Sequence, residues 1–270
     1  MTVSSLSRAT FALCFALFCA RDASAVILDW DTAAWVNGST NNSFDIDPNR
    51  PGNDVTVRLV GNNGAVFAPD ITTSPQIQTP AVASVFQGGL AATERSLVVG
   101  LNLTSNTQSV TLTLDFNQYP AGITNLTFRI FDVDYANTSG NTYQDMLTNI
   151  RGLSADGVTW IAPTITTSSA NALTGTGLGQ IVTGTSSVVD TGAGSGNGNV
   201  TISFGSNAIT RFEFTYGSGA AFADPTFQHV GFYDFSFTPV PEINPAWTAM
   251  ITSFAALGIV LHRRRAHVRK

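Results

Sequence analysis

Asp132-Val133-Asp134 closes a strongly apolar stretch, and Asn137, Asn141 and Asp145 follow it in a polar segment. Residues two apart on a strand project from the same face, so both carboxylates point one way. Carboxylates held that close repel unless a cation sits between them, and oxygen ligands of this kind suit calcium. Asp132, Asp134 and Asp145 are therefore the candidate calcium ligands. The competing reading is a solvated strand end rich in turn-forming Asp and Asn. Asp45-Ile46-Asp47-Pro48-Asn49 also alternates oxygen donors, but Arg50 stands at the glycine position of an EF-hand loop and Thr56 at its twelfth. No EF-hand is expected. Asp29-Trp30-Asp31 reads as part of an edge strand.

For catalysis the inventory is thin. The single histidine between residues 26 and 239 is His229, in Phe227-Gln228-His229-Val230, and it reads as a hydrogen-bonded structural residue. There is no Gly-x-Ser-x-Gly elbow and no His-Glu-x-x-His, so serine-hydrolase and zinc-protease chemistry have no support. Gly175, Gly177 and Gly179 lack the third-glycine spacing of a dinucleotide loop and read as a turn. Asp132, Asp134, Asp145, Glu213 and Asp234 could converge as a glycosidase pair, which needs two carboxyls about 5 to 9.5 Å apart. Glutamate is scarce there, however, with only Glu94 and Glu213. Trp30, Trp35 and Trp160 are candidates for stacking on sugar rings, against the alternative that they are core.

The elements that must position these groups are strands. Residues 26–239 are rich in Thr, Ser, Asn and Gly with many β-branched and aromatic residues, a mixture that disfavours helix. Val110, Leu112, Leu114 and Phe116 alternate with polar neighbours; so do Val200, Ile202 and Phe204, and Phe212, Phe214 and Tyr216. Each pattern predicts a strand with one buried face. Further strands are expected over Ala25–Trp30, Val55–Val60, Ser96–Leu103, Leu126–Val133 and Val230–Phe237. Tyr143–Ile150 fits either a short helix or a strand. Thr164–Gly179 and the glycine-rich Thr191–Asn199 read as loops, the second a mobile hairpin loop. Roughly ten antiparallel strands predict an all-β fold, a jelly-roll-like antiparallel β-sandwich. Just over two hundred residues suffice for one such domain with its own core.

Charge narrows the partners. Residues 26–239 carry sixteen acidic residues against six arginines and no lysine, leaving a net charge of −10. That field cannot neutralise a run of phosphates, which argues against nucleic acid, and it disfavours anionic membrane surfaces. No cofactor is implied beyond calcium.

Two membrane signals bracket this body. Arg8, the apolar run Phe11–Ala20 and the small-x-small Ala23-Ser24-Ala25 predict a signal peptide over residues 1–25, cleaved by signal peptidase before Val26. Ten residues of helix reach only about 15 Å, too short for an anchor. Both cysteines, Cys14 and Cys19, lie inside it, so the mature chain has no disulfide and no thiolate chemistry. At the other end, Val240-Pro241-Glu242-Ile243-Asn244-Pro245 leads into an apolar run over 246–262, with Pro245 to His262 spanning about 27 Å as a helix, followed by Arg263, Arg264 and Arg265. Positive charge stays cytoplasmic, so residues 263–270 face inward and the body outward.

This three-part tail resembles the PEP-CTERM sorting signal, whose usual form is Val-Pro-Glu-Pro, a short transmembrane helix and an arginine cluster. Here Val240, Pro241 and Glu242 match, Ile243 stands where the second proline is usual, and Pro245 lies two positions on. The resemblance covers residues 240–270 and implies an exosortase, a membrane-embedded cysteine transpeptidase, as processing partner. It implies an exported bacterial protein held in the inner membrane until the tail is cut, then surface or extracellular. For residues 26–239 the expected role is structural or adhesive, in a cell surface or exopolysaccharide matrix. A carbohydrate-binding module is the second reading and a glycoside hydrolase the third; no enzyme activity is expected in the first two.

Overall fold

The computed structural model describes residues 24–70, 75–185 and 194–242. Ala23, Pro245, the apolar run 246–262 and Arg263, Arg264 and Arg265 lie outside the described residues. Among the described residues no helix is long and apolar enough to cross a membrane, and the expected transmembrane segment falls outside them. Ser24–Val240 form one compact unit.

The unit is all-β. It opens with β1 (Val26–Leu28), β2 (Asn41–Phe44) and β3 (Val55–Asn62), then β4 (Pro69–Asp70), β5 (Ile77–Gln78) and β6 (Ala81–Ala83). Longer strands follow: β7 (Ser96–Asn102), β8 (Ser109–Phe116), β9 (Ile123–Phe131), β10 (Tyr135–Thr138) and β11 (Asn141–Ser154). Four short ones come next, β12 (Trp160–Ile161), β13 (Thr164–Thr167), β14 (Asn171–Thr174) and β15 (Ile181–Gly184). β16 (Val200–Ser203), β17 (Ile209–Ser218), β18 (Phe227–Phe232) and β19 (Phe235–Pro239) complete the order.

Every pairing is antiparallel, and the sheet curls so that two layers face each other. One layer runs β2-β3-β8-β17-β11-β15-β14. In the other, β13 and β16 lie along one edge of β9. The opposite edge of β9 is shared by β18, which leads to β7 and β6, and by β19, which leads to β1. The layers join where Ile209 pairs with Ile123.

Alternation accounts for the core. Val110, Leu112, Leu114 and Phe116 turn inward from β8, as Phe212, Phe214 and Tyr216 do from β17. The opposite face stays polar: Asp115 takes the Arg211 Nε at 2.5 Å. Across the interior, rings from the two layers meet edge-on or tilted. Phe128 lies 4.9 Å from Phe212, Phe214 5.1 Å from Phe232, and Phe116 5.1 Å from Phe237. Such pairs add to the burial of their own apolar area.

The structure settles one open assignment and amends others. Tyr143–Ile150 is strand, inside β11, the longest in the fold. Val230–Phe237 is two strands, because the chain breaks pairing at Tyr233-Asp234. Thr164–Gly179 is not loop throughout: it contains β13 and β14, polar edge strands paired with β16 and β15, before a single 3-10 turn at Gly177–Gly179. Within Thr191–Asn199, residues 191–193 lie outside the described residues; the rest is tied down. Gly194, Asn197 and Gly198 carbonyls accept from Gly89, Ala170 and Val133 N–H groups at 2.9–3.0 Å. Glycines without side chains let backbone approach backbone there.

Phe212 is fully buried and touches Phe128, Phe204 and Phe214. Phe212→Ala should cost about 3–5 kcal/mol, read as a lowered urea midpoint with an unchanged slope. A loss below about 1 kcal/mol would mean the interlayer rings are not the core's main support.

Candidate functional site

Beyond the end of β9 the chain turns sharply. Asp132 takes a left-handed φ of 63°, rare outside glycine, asparagine and aspartate. The β10–β11 hairpin then brings Asp145 back beside Asp134. The two clasp each other: Asp134 N–H donates to Asp145 Oδ2 at 3.1 Å, and Asp145 N–H donates to the Asp134 carbonyl at 2.9 Å. Tyr216, on the neighbouring β17, donates its hydroxyl to Asp145 Oδ1 at 2.8 Å. Tyr143 hydrogen-bonds the Asp134 side chain. Asp134 and Asp145 are both wholly buried. β15 seals the clasp, since a Cβ on Gly184 would lie 1.8 Å from the Asp134 carbonyl oxygen.

Burial pushes the Asp145 carboxyl well above the ordinary carboxylate range, and the neighbouring Asp134 charge adds to the rise. Burial likewise pushes the Tyr143 and Tyr216 hydroxyls up, so both remain neutral donors. Asp145 touches no solvent and spends both oxygens on internal donors. It acts as a latch holding the β9–β10 corner to β17.

Of the three candidate calcium ligands, two form this clasp. Asp132 lies in the half-exposed turn next to them, close enough for its charge to push the Asp145 carboxyl up as well. Among the described residues no three of His, Cys, Asp or Glu are gathered so as to hold a metal ion. The Asp145 oxygens face a tyrosine hydroxyl and a backbone N–H. The Asp45–Asn49 segment is a structural turn as well, with Asp54 Oδ2 accepting from Ile46 and Asp47 N–H at 2.8 and 2.7 Å.

Next to the latch opens a cleft of about 730 Å³. Its buried lining includes Phe86, Leu103, Tyr143 and Gln228; Asn102, Thr104 and Asp224 are exposed on it; Asp132, Asn141 and His229 are intermediate. Among the described residues no lysine or arginine lines it. His229 lies between two rings, 6.0 Å from Phe86 and 5.3 Å from Phe227. It rests on Gly100, where a Cβ would sit 2.6 Å from the imidazole Cδ2. Gln228 is 1% exposed, and neither its Oε1 nor its Nε2 has a hydrogen-bond partner among the described residues. In native interiors such a group is rare.

The remaining candidates are dispersed. Glu213 pairs with Arg151, its Oε1 2.6 Å from Nη2. Arg151 lies six residues along β11 from Asp145, roughly 20 Å of strand, so Glu213 is remote from the latch. Asp234 is elsewhere again, its Oδ1 accepting the Trp30 N–H at 3.0 Å. Burial pushes its carboxyl up to about 6, and the charges of Asp29, Asp31 and Glu94 act the same way. Trp30 is fully buried among Trp35, Phe44 and Phe235 and cannot stack on a sugar. Trp35 lies flat on Phe44 and donates its indole N–H to the Pro80 carbonyl at 3.0 Å. The Arg151 guanidinium lies 4.0 Å over the Trp160 ring. These tryptophans form no platform. Ala25 is exposed just before β1.

Gln228 and Tyr143 are the lining residues that pattern reading passed over. The available signal for Gln228 was its register: it shares the inward face of β18 with Val230 and Phe232, where an amide has no ordinary place. No protein-family model, curated protein or solved structure matches this chain.

A folded state that holds a carboxyl proton more tightly than the unfolded chain loses stability as pH rises, starting near the unfolded value of about 4. Melting temperatures measured from pH 4 to 8 should therefore fall more steeply in the parent than in Asp145→Asn, whose amide can still meet Tyr216 and the Asp134 N–H. Asp234→Asn should remove only the part of the fall that ends near pH 6. Three parallel curves would show that these charges do not set the slope.

Proposed function

We propose that this chain is an exported bacterial surface or extracellular-matrix protein, sorted by exosortase-type processing of its tail. Its body is read as a structural or adhesive β-sandwich of jelly-roll-like order. The observation carrying the sorting reading is where the sandwich lets go of the chain. Val240 N–H donates to the Gly122 carbonyl at 3.0 Å. Pro241 and Glu242, the next residues of the tail motif, are exposed. A processing enzyme needs an extended segment that can leave the fold, and this motif begins where the last strand ends. At the other boundary, the exposed Ala25 precedes β1 directly, as signal peptidase would require.

The jelly-roll reading draws on strand order. β8-β17-β11-β15 in one layer faces β7-β18-β9-β16 in the other, the interleaving produced when a long hairpin folds over itself. The adhesive reading draws on the cleft, and it favours the carbohydrate-binding alternative over the hydrolase. The carboxylates that would form a glycosidase pair sit at separate places or spend their oxygens internally, whereas the cleft presents amides and aromatic rings. Exopolysaccharide is the matching partner class, and the inner membrane is the station before processing.

Mass spectrometry of the protein purified from its own host should find a first residue at Val26 and a last residue near Glu242. An intact Lys270 on surface-exposed protein would turn the tail into a permanent anchor. Protection of the body from protease added to spheroplasts would overturn export itself.

A further inference from the structure

We infer that the cleft bounded by β7, β11 and β18 is a binding site for an uncharged saccharide, anchored on the Gln228 amide. The inference rests on the adhesive reading of the body and names the ligand class and the residue that reads it.

Gln228 is the starting point. Its side chain occupies an inward position of β18, is 1% exposed, lines the cleft, and makes no hydrogen bond through either amide atom among the described residues. An amide buried without partners destabilises the protein that carries it, whereas an apolar side chain of equal length would not. A residue that lowers stability and faces a cleft is what a ligand-reading position looks like. The amide offers two N–H donors and a carbonyl acceptor on adjacent atoms. Neighbouring sugar hydroxyls, each able to donate and to accept, match that pattern.

The surroundings narrow the class. Asn102 and Asn141 place two more amides on the cleft, and Asn141 is positioned by its Oδ1, which accepts from Thr226 Oγ1 at 3.3 Å. Phe227, half-buried beside His229, supplies an apolar ring suited to the C–H face of a pyranose, and the buried Phe86 backs the imidazole from the other side. The charged groups on the cleft are Asp132 and Asp224, both acidic, and among the described residues no basic side chain lines it. An anionic polymer would meet like charge there, and the body as a whole carries −10. A cationic ligand would call for a carboxylate at the buried centre, where this chain has an amide. A volume of about 730 Å³ suits two or three sugar rings rather than a single small metabolite.

The test uses the mature protein purified from its host, with cellohexaose, xylohexaose and mannohexaose as neutral probes and hexagalacturonate as the acidic one. At least one neutral probe should bind, and hexagalacturonate should bind at least tenfold more weakly. Gln228→Met should weaken that binding at least tenfold while leaving the melting temperature unchanged or higher. Asn102→Ala, on the exposed lining, should weaken binding severalfold with unaltered melting. A lowered melting temperature in Gln228→Met would make the amide a structural residue and overturn the assignment. So would equal binding of the acidic probe, or no binding of any neutral one. Cosedimentation with insoluble matrix from the host separates the two levels. If wild type and Gln228→Met sediment alike, adhesion stands and the cleft assignment falls. If the wild type stays in solution, the adhesive reading itself fails.

Discussion

The contact on which the rest depends is ring against ring between the two layers. The body has no cysteine, so no covalent link resists their separation, and interlayer packing must do all of it. Phe128 is the centre of that contact, meeting Phe212 from the opposite layer at 4.9 Å and Phe235 from its own at 5.3 Å. Each ring is placed by the period-two alternation of its strand, and antiparallel register then decides which rings meet. Ser, Thr and Asn on the outer faces cost the interior nothing. That division explains how a chain so rich in small polar residues still builds a dense core.

Where the aromatic packing stops, the interior becomes polar, and this is where the notable groups collect. The inward face of β18 passes from Phe232 and Val230 to Gln228, and that of β17 reaches Tyr216. β11 contributes Tyr143 and Asp145 at the same end. Tyr216 and the Asp134 N–H occupy both oxygens of Asp145, so that part of the interior is closed. Neither amide atom of Gln228 has a hydrogen-bond partner among the described residues, and the cleft opens beside it. Tyr143 belongs to both, hydrogen-bonding Asp134 and lining the cleft, and it gives the two regions a shared wall.

Much of this was legible in the sequence, for a physical reason. Alternation reports which face of a strand is buried, and the long strands β3, β7, β8, β9 and β17 all lie where alternation or apolar runs placed them. β13 and β14 were missed because edge strands bury little; Thr-Ile-Thr-Thr reads the same in a loop as at a sheet margin. Strand parity does not carry through Asp132-Val133-Asp134, because Asp132 adopts a positive φ and the chain turns there. Trp30 was offered as a binding aromatic, but its neighbours in space come from Phe44 and Phe235, at sequence distances no local pattern reports. Gln228 could have been found by asking which inward position of a predicted strand carries an amide.

The topology also relates the cleft to the tail. β18 and β19 run one after the other antiparallel to β9, from Phe232 opposite Ile130 to Pro239 opposite Ile123. Phe227–His229 therefore stand at the end of the sandwich farthest along this edge from Val240. Twelve residues of nearly extended chain separate Gln228 from Val240, roughly 30–40 Å. Because β1 pairs antiparallel with β19, with Val26 opposite Phe237, the body's first strand also begins near the Val240 end. Under the sorting reading, both processing events act at one end of the sandwich. Phe227–His229 and Val240 thus lie at opposite ends of this edge of the sandwich.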